Sequence, residues 1–556
     1  MMSKKQAKVS PPKSIQSPPK IDSKTLFERL PWLEYVLVGL IITALFFLRR
    51  NFLGIPMERD EGSYVMYGKW LVDGAKPYVD FYEMKPPGIF LVYGFMVKLF
   101  GYDALSLQKG FCYVYALLLL FFYLFFRNLF GKKLALVLLP VGGLLFLNPQ
   151  IYGFTIQAEF FVIIFVLAGL YLFTLAKQKN NLWILLCSGI MLGFSVLIKQ
   201  AGIFYCFFGA LWILIDWLKN KNLRKFIFET IAFAIGGFIP FILIFLWIQM
   251  QGLSKDMIFW MVEFPGKYYL VDISFDDGIN MLINTFQKIR GEQLLFWVLA
   301  FAGLVAGFFI KISWDKKIVY YSFIILSFLP IVPGYRFYGH YWILFVPGIA
   351  LSICLTYQLL EQLVGKSNAL KNILGVLFLV IPISHFVNST SYYLKPDFDK
   401  ILHDGYGGNP FPEAKVIGDF LKRNMKLGDQ IYVAGSEPEI YLYTNTLGIT
   451  KHNVVYIINL KYPFTKTMRA EAIKDVETKK PRYIVDVIIP ISLWFSKESE
   501  MELFEWTQRY VQENYNLVFI ADQYSPGSAT NYVEGPSVLT YKPQGQNFIT
   551  VWERKK

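Results

Sequence analysis

Two adjacent carboxylates, Asp60 and Glu61, stand in the stretch Glu58-Arg59-Asp60-Glu61-Gly62-Ser63-Tyr64, just after the first long apolar run. Such a pair can take a proton from a hydroxyl or hold a cation. Taken alone, it is as readily a solvated loop or a helix start. Further along, Lys85 sits in Tyr82-Glu83-Met84-Lys85-Pro86-Pro87-Gly88. The prolines restrict the backbone and push Lys85 towards an extended conformation, so its ammonium has a defined place that suits a phosphate; the plainer account is a lysine snorkelling beside a helix start. Lys199 lies between two apolar runs with almost no loop, and a cation near membrane depth is costly unless it is paired or used. Glu159 opens another run and can join the acidic pair or simply favour a helix N-terminus. In Pro333-Gly334-Tyr335-Arg336-Phe337-Tyr338-Gly339-His340-Tyr341, Arg336 offers a fork for phosphate and His340 a proton or hydrogen bond to a leaving group. An interfacial aromatic belt explains the tyrosines but neither of those two residues. Glu159, Tyr64 and Tyr341 are further candidates for touching an acceptor or a metal; a divalent cation is the one cofactor this set suggests.

These residues need a scaffold, and hydropathy supplies one. A spanning helix takes about 20 mostly apolar residues. Eleven runs qualify: 31–48, 110–126, 134–149, 158–176, 182–198, 201–218, 226–248, 294–310, 318–333, 341–361 and 372–388. The short loops Arg127 to Lys133, Lys177 to Asn181, Lys219 to Lys225, Lys311 to Lys317 and Gln362 to Lys371 each carry two or more Lys or Arg, whereas Gln150 to Gln157 carries none. With the basic arm at residues 1–30, read as disordered, this asymmetry places the N-terminus in the cytoplasm and residues 389–556 outside, in a plasma (inner) membrane. The candidates then gather at the outer ends of the runs. A first outer loop, 49–109, is dense in charge, and 88–100 within it reads as an interfacial helix.

Composition agrees. Of 556 residues 55% are hydrophobic and 17% charged, against roughly a quarter charged in soluble chains. The +14 formal charge follows from topology, and no zinc, RNP or helix-turn-helix pattern argues for nucleic acid. Cys112, Cys187, Cys206 and Cys354 all lie in apolar runs without metal or disulfide spacing. A secondary transporter would place its charges near mid-membrane, and a scaffold would leave the first loop idle. Beyond Asn388, polar composition returns. Helices are expected at Glu413 to Asn424, Pro438 to Tyr443 and 499–514. Strands are expected at Gln430 to Ala434, Val454 to Ile458, Tyr483 to Val487 and Leu517 to Ala521. The pattern is that of a small α/β domain.

Taken together, Arg59-Asp60-Glu61-Gly62, Lys85-Pro86-Pro87-Gly88, Gly193 to Gln200 and Arg336-Phe337-Tyr338-Gly339-His340-Tyr341 resemble the polyprenyl-phosphate-sugar glycosyltransferases of the C-type fold, in particular the protein O-mannosyltransferase and aminoarabinose transferase superfamily. In the tail, Gly428 to Val433 followed by Glu437-Pro438-Glu439-Ile440-Tyr441 resembles bacterial members. The resemblance implies a polytopic α-helical membrane protein with a soluble α/β domain, catalysis by Asp60 and Glu61, and carrier-phosphate contacts from Lys85, Lys199 and Arg336. It implies a lipid-phosphate sugar donor, an acceptor that is a glycan, lipid or protein, and surrounding membrane lipid. Many members have an Asp or Thr-Glu where this chain has Ala158-Glu159, which leaves the role of Glu159 less defined.

Overall fold

The computed structural model describes residues 30–269, 273–495, 499–524 and 529–556. The basic arm at 1–30 lies outside the described residues apart from Leu30. The membrane region comprises α1 (Trp32–Arg50), α2 (Arg59–Val72), α3 (Gly88–Phe100), α4 (Ala104–Phe130), α5 (Lys132–Phe146), α6 (Ala158–Lys179), α7 (Leu182–Ile198), α8 (Ile203–Asn220), α9 (Leu223–Met250), α10 (Phe275–Glu292), α11 (Leu294–Phe309), α12 (Trp314–Phe328), α13 (Val346–Leu363) and α14 (Asn368–Asn388).

All eleven apolar runs fall on helices, but fewer are long enough to cross a bilayer unaided. Among the described residues, seven helical stretches are long and apolar enough, or eight if α10 and α11, bent by 114° at their junction, act as one. The short ones have local causes. α5 is 15 residues long with Pro140 inside it. α12 is also 15 residues long and gives way to a tight turn containing Pro330. Outward faces stay apolar, as at Leu40, Phe47, Phe238, Leu243, Val376 and Ile383, which suits lipid contact.

Small residues set a close helix contact. Gly189 and Gly193 on α7 face Gly236 and Gly237 on α9, and a Cβ on Gly189 would lie 2.4 Å from the Phe233 carbonyl oxygen. Where burial against water gives no drive, such close approach gains van der Waals contact between helices. The pairing fixes the end of α7, where Lys199 follows.

The first outer loop folds into α2 and α3. The sequence pattern anticipated the second as an interfacial helix; it is helical over Gly88–Phe100, with Phe95 and Leu99 exposed.

After α14 the chain forms α15 (Phe398–Tyr406), α16 (Phe411–Asn424), α17 (Glu439–Thr444), α18 (Thr465–Lys479) and α19 (Glu502–Asn514), with β1 (Ile431–Ala434), β2 (Tyr483–Ile488), β3 (Tyr515–Gln523), β4 (Thr530–Glu534) and β5 (Asn547–Arg554). The sheet order is β1-β2-β5-β3-β4. Only β1 and β2 are parallel; the other pairs are antiparallel. One expected strand is corrected. Val455–Ile458 is a single helical turn, entered from an extended Val454. Its apolar side chains, Val455, Ile457 and Ile458, are buried on the membrane-side core, and that packing overrides β-branched preference.

Candidate active site

The acidic pair sits on the first turn of α2, and its two members point to different tasks. Glu58 caps the helix: its Oε1 accepts the Glu61 N–H at 2.9 Å, while Glu61 Oε2 accepts the Glu58 N–H at 3.0 Å. This reciprocal box satisfies two backbone donors that a helix start leaves open. Glu61 Oε1 also accepts the backbone N–H of Ile156, and Gln157 Nε2 donates to Glu58 Oε1 at 3.1 Å. Glu58 and Glu61 therefore lash α2 to the segment just before α6, where Glu159 stands. Burial pushes the Glu61 carboxyl up to about 7, against the pull of its two backbone donors and Arg49. Glu58, desolvated beside Asp60 and Glu61, is pushed well up as well.

Asp60 is instead partly open, its side chain 40% exposed. Tyr64, one turn on, donates its hydroxyl to Asp60 Oδ2 at 3.0 Å. Lys85 Nζ lies 4.0 Å from the same oxygen. Partial desolvation raises the Asp60 carboxyl, but Lys85, His340, the Tyr64 hydrogen bond and Lys199 outweigh it, and the group is held below its ordinary value. Lys85 Nζ is 3.5 Å from Glu83 Oε1 and 4.7 Å from the Tyr64 ring centroid. Gly88 explains how this lysine comes close to the end of α7: a Cβ there would lie 2.4 Å from the Leu197 carbonyl oxygen. Gln200 Nε2 ties the same two segments by donating to the Met84 carbonyl at 3.0 Å.

The second half of the cluster comes from α6, the end of α7 and the turn before α13. Lys199 pairs with Glu159 and lies 3.9 Å from the Tyr341 ring centroid. His340 Nε2 is 3.9 Å from the same Glu159 oxygen. Its Nδ1 is buried without a hydrogen-bond partner among the described residues. So Asp60, Tyr64, Lys85, Glu159, Lys199, His340 and Tyr341, distant in sequence, come together.

Arg336 is placed at the edge of this group. Tyr335 and Phe337 on either side adopt left-handed φ of 53° and 44°, an uncommon conformation for aromatic residues. Arg336 is buried, donates to the Tyr338 hydroxyl at 3.2 Å and lies 5.7 Å from the Trp494 ring centroid. It thus reaches the C-terminal domain.

Among the described residues no three His, Cys, Asp or Glu side chains are grouped to hold a divalent cation. Both oxygens of Glu61 accept backbone N–H groups, and Glu159 is engaged by Lys199. Tyr64 and Tyr341, expected as acceptor or metal contacts, support Asp60 and Lys199 respectively.

A family model described as dolichyl-phosphate-mannose-protein mannosyltransferase matches residues 84–247. The match opens one residue before Lys85 and takes in Glu159 and Lys199. Over those residues the chain is similar to that family. Among solved structures, ArnT from Cupriavidus metallidurans in its apo state is similar over 94% of this chain and 98% of its own, at 12% identity and a TM-score of 0.53; that likeness concerns the fold. The Archaeoglobus fulgidus oligosaccharyltransferase, solved with Zn and sulfate, matches over 89% of this chain and 73% of its own, at 14% identity and a TM-score of 0.49. No curated protein sequence matches. The apolar helices and the family match together support a multi-pass membrane protein of glycosyltransferase type.

Sequence reasoning quoted Arg59, Tyr82, Glu437 and Glu439 without giving them a task, and overlooked His452. Arg59 donates to the Ser436 carbonyl, and Tyr82 hydrogen-bonds His452 Nδ1 at 3.0 Å. Only the Glu58-to-Glu61 spacing carried a legible signal, that of a capping box.

Proposed function

We propose that this protein transfers a hexosyl or pentosyl unit from a polyprenyl-phosphate carrier to an acceptor hydroxyl on the extracytoplasmic face of the plasma membrane, with inversion at the anomeric carbon. One observation carries the reading: a partly exposed, ionised Asp60 lies 4.0 Å from Lys85 with the Lys199–Glu159–His340 group beside it. The attacking hydroxyl gives its proton to Asp60 as its oxygen bonds to C1. The C1–O bond to phosphate breaks, and the carrier phosphate leaves with the bonding electrons. Lys85 and Lys199 face the growing charge; preorganised cations in a site of low dielectric lower such a barrier most. His340 supplies a hydrogen bond from its inner side, and Arg336 holds the outer approach to the same phosphate. Glu61 keeps α2 in place rather than reacting. Attack opposite the leaving group gives the inverted product.

The test is sugar transfer and polyprenyl-phosphate release in membranes supplied with undecaprenyl-phosphate-linked hexoses and pentoses, comparing wild type with Asp60→Asn at equal expression. Turnover in wild type and its loss in the variant, by about a hundredfold or more, support the reading. Equal turnover in both removes Asp60 as the base, and a retained anomeric configuration removes the single displacement.

A further inference from the structure

An α/β sheet commonly takes its ligand at the C-terminal ends of adjacent parallel strands. Among the described strands, β1 and β2 are the only parallel neighbours. Beyond β1 come Gly435, Ser436 and Glu437; beyond β2 come Pro490 and Ser492. What enters there is a side chain of the same protein. Arg59 Nε donates to the Ser436 carbonyl at 2.5 Å, and its Nη2 lies 3.3 Å from Glu437 Oε1 and 3.2 Å from Asn409 Oδ1. Ser492 Oγ donates to Glu437 Oε2 at 2.8 Å and accepts the Ser436 N–H at 3.0 Å. Glu437 is fully buried, and each of its oxygens has a partner. Two further contacts frame the fork. The Met57 N–H donates to the Tyr443 hydroxyl at 2.7 Å, and Gly62 rests on the backbone of Glu439.

We propose that Arg59 and Glu437 are positioning residues for Asp60: through this partly buried pair the C-terminal domain grips the first turn of α2 and holds the neighbouring carboxylate opposite Lys85. The inference rests on the reading of Asp60 as the base. A guanidinium bound in two directions fixes orientation as well as distance, which a lysine cannot reproduce. Arg59 opens α2 and Asp60 follows it, so a shift of one moves the other. A displacement of about 1 Å at a reacting group is enough to cost about a hundredfold in rate. The C-terminal domain is then part of the catalytic apparatus without touching substrate.

The experiment uses the purified full-length protein in detergent, with undecaprenyl-phosphate hexoses and pentoses as probes and undecaprenyl-phosphate release as the readout. Arg59→Lys and Glu437→Gln are expected to lower kcat about tenfold or more, leave donor KM within about twofold, and move the acid limb of the pH profile to higher pH as Asp60 separates from Lys85. Ser492→Ala, which spares the ion pair, is expected to show a smaller change in the same direction and covers the case in which Glu437→Gln does not fold. A merely structural contact would change Tm and yield while leaving kcat per folded enzyme and the acid limb unmoved. Folded variants with wild-type kcat and acid limb overturn the inference. Wild-type turnover that is lost in Asp60→Asn establishes the underlying reading separately; no wild-type turnover with any probe overturns both.

Discussion

Gly62→Ala tests how tightly α2 and the C-terminal domain must fit. On an isolated helix this change would be favourable by about 1 kcal/mol, because alanine loses less backbone freedom. Here the added Cβ would lie 2.5 Å from the Glu439 nitrogen, 2.8 Å from its Cα and 2.9 Å from its Cβ. None of these atoms can swing aside, and an ordinary carbon contact needs about 3.5 Å or more. The helix and the domain must separate by about 1 Å. Overpacking of that kind costs about 1–3 kcal/mol, which cancels or exceeds the propensity gain. The larger consequence is kinetic: Asp60 is two residues away, and the same displacement predicts a fall of about a hundredfold in turnover. The assay pairs undecaprenyl-phosphate release with the Tm of the detergent-purified protein. A Gly62→Ala protein that turns over like wild type with a raised Tm refutes the argument, since α2 would then gain helix stability with no penalty from the interface.

Two further outcomes follow from the charges. A base must be ionised to act, so the rate rises with pH through the Asp60 pKa; Lys85 is among the groups that hold that pKa down, and Lys85→Met should raise donor KM and move the acid limb to higher pH, as read from kcat/KM profiles. Asp486 is buried between β1 and β5, accepts a hydrogen bond from Gln508 at 2.6 Å, and is raised by burial from 3.8 to about 7. The folded state therefore holds a proton there that the unfolded state has released, so stability is fullest below pH 3.8 and declines as pH rises towards 7, by up to about 4 kcal/mol; Asp486→Asn should flatten the fall in Tm between pH 5 and pH 8, and an unchanged slope would count against it.

The legible parts of this protein were those written in local pattern. Every long apolar run became a helix, because hydrocarbon leaves the backbone little other choice. Whether each run spans was not legible, since Pro140, Pro330 and the bend before Leu294 shorten helices that composition alone would extend. In the tail, α18 escaped notice: its buried apolar positions, Met468, Ala472 and Val476, are three residues in a strongly charged stretch. Strands β4 and β5 escaped too. The residues that meet around Asp60 were legible as separate motifs, since charges at the ends of apolar runs call for explanation. The division of labour within Asp60-Glu61 was not, because it depends on the Ile156 N–H, and the Arg59–Glu437 contact joins residues 378 apart in sequence. No periodicity reports a partner at that range.

The place of β5 gives the enzyme an order of assembly. Residues 547–554 are the last strand in the sequence, yet they lie at the centre of the sheet, with β2 on one side and β3 on the other. Until they arrive, β1–β2 and β3–β4 are two separate ribbons, and the crevice that receives Arg59 sits on an incomplete support. The helices can enter the bilayer during synthesis, while the first turn of α2, already tied to the segment before α6, still lacks its contact with the C-terminal domain. The contact of Arg59 with the end of β1 is thereby left without its full support until β5 has joined the two ribbons.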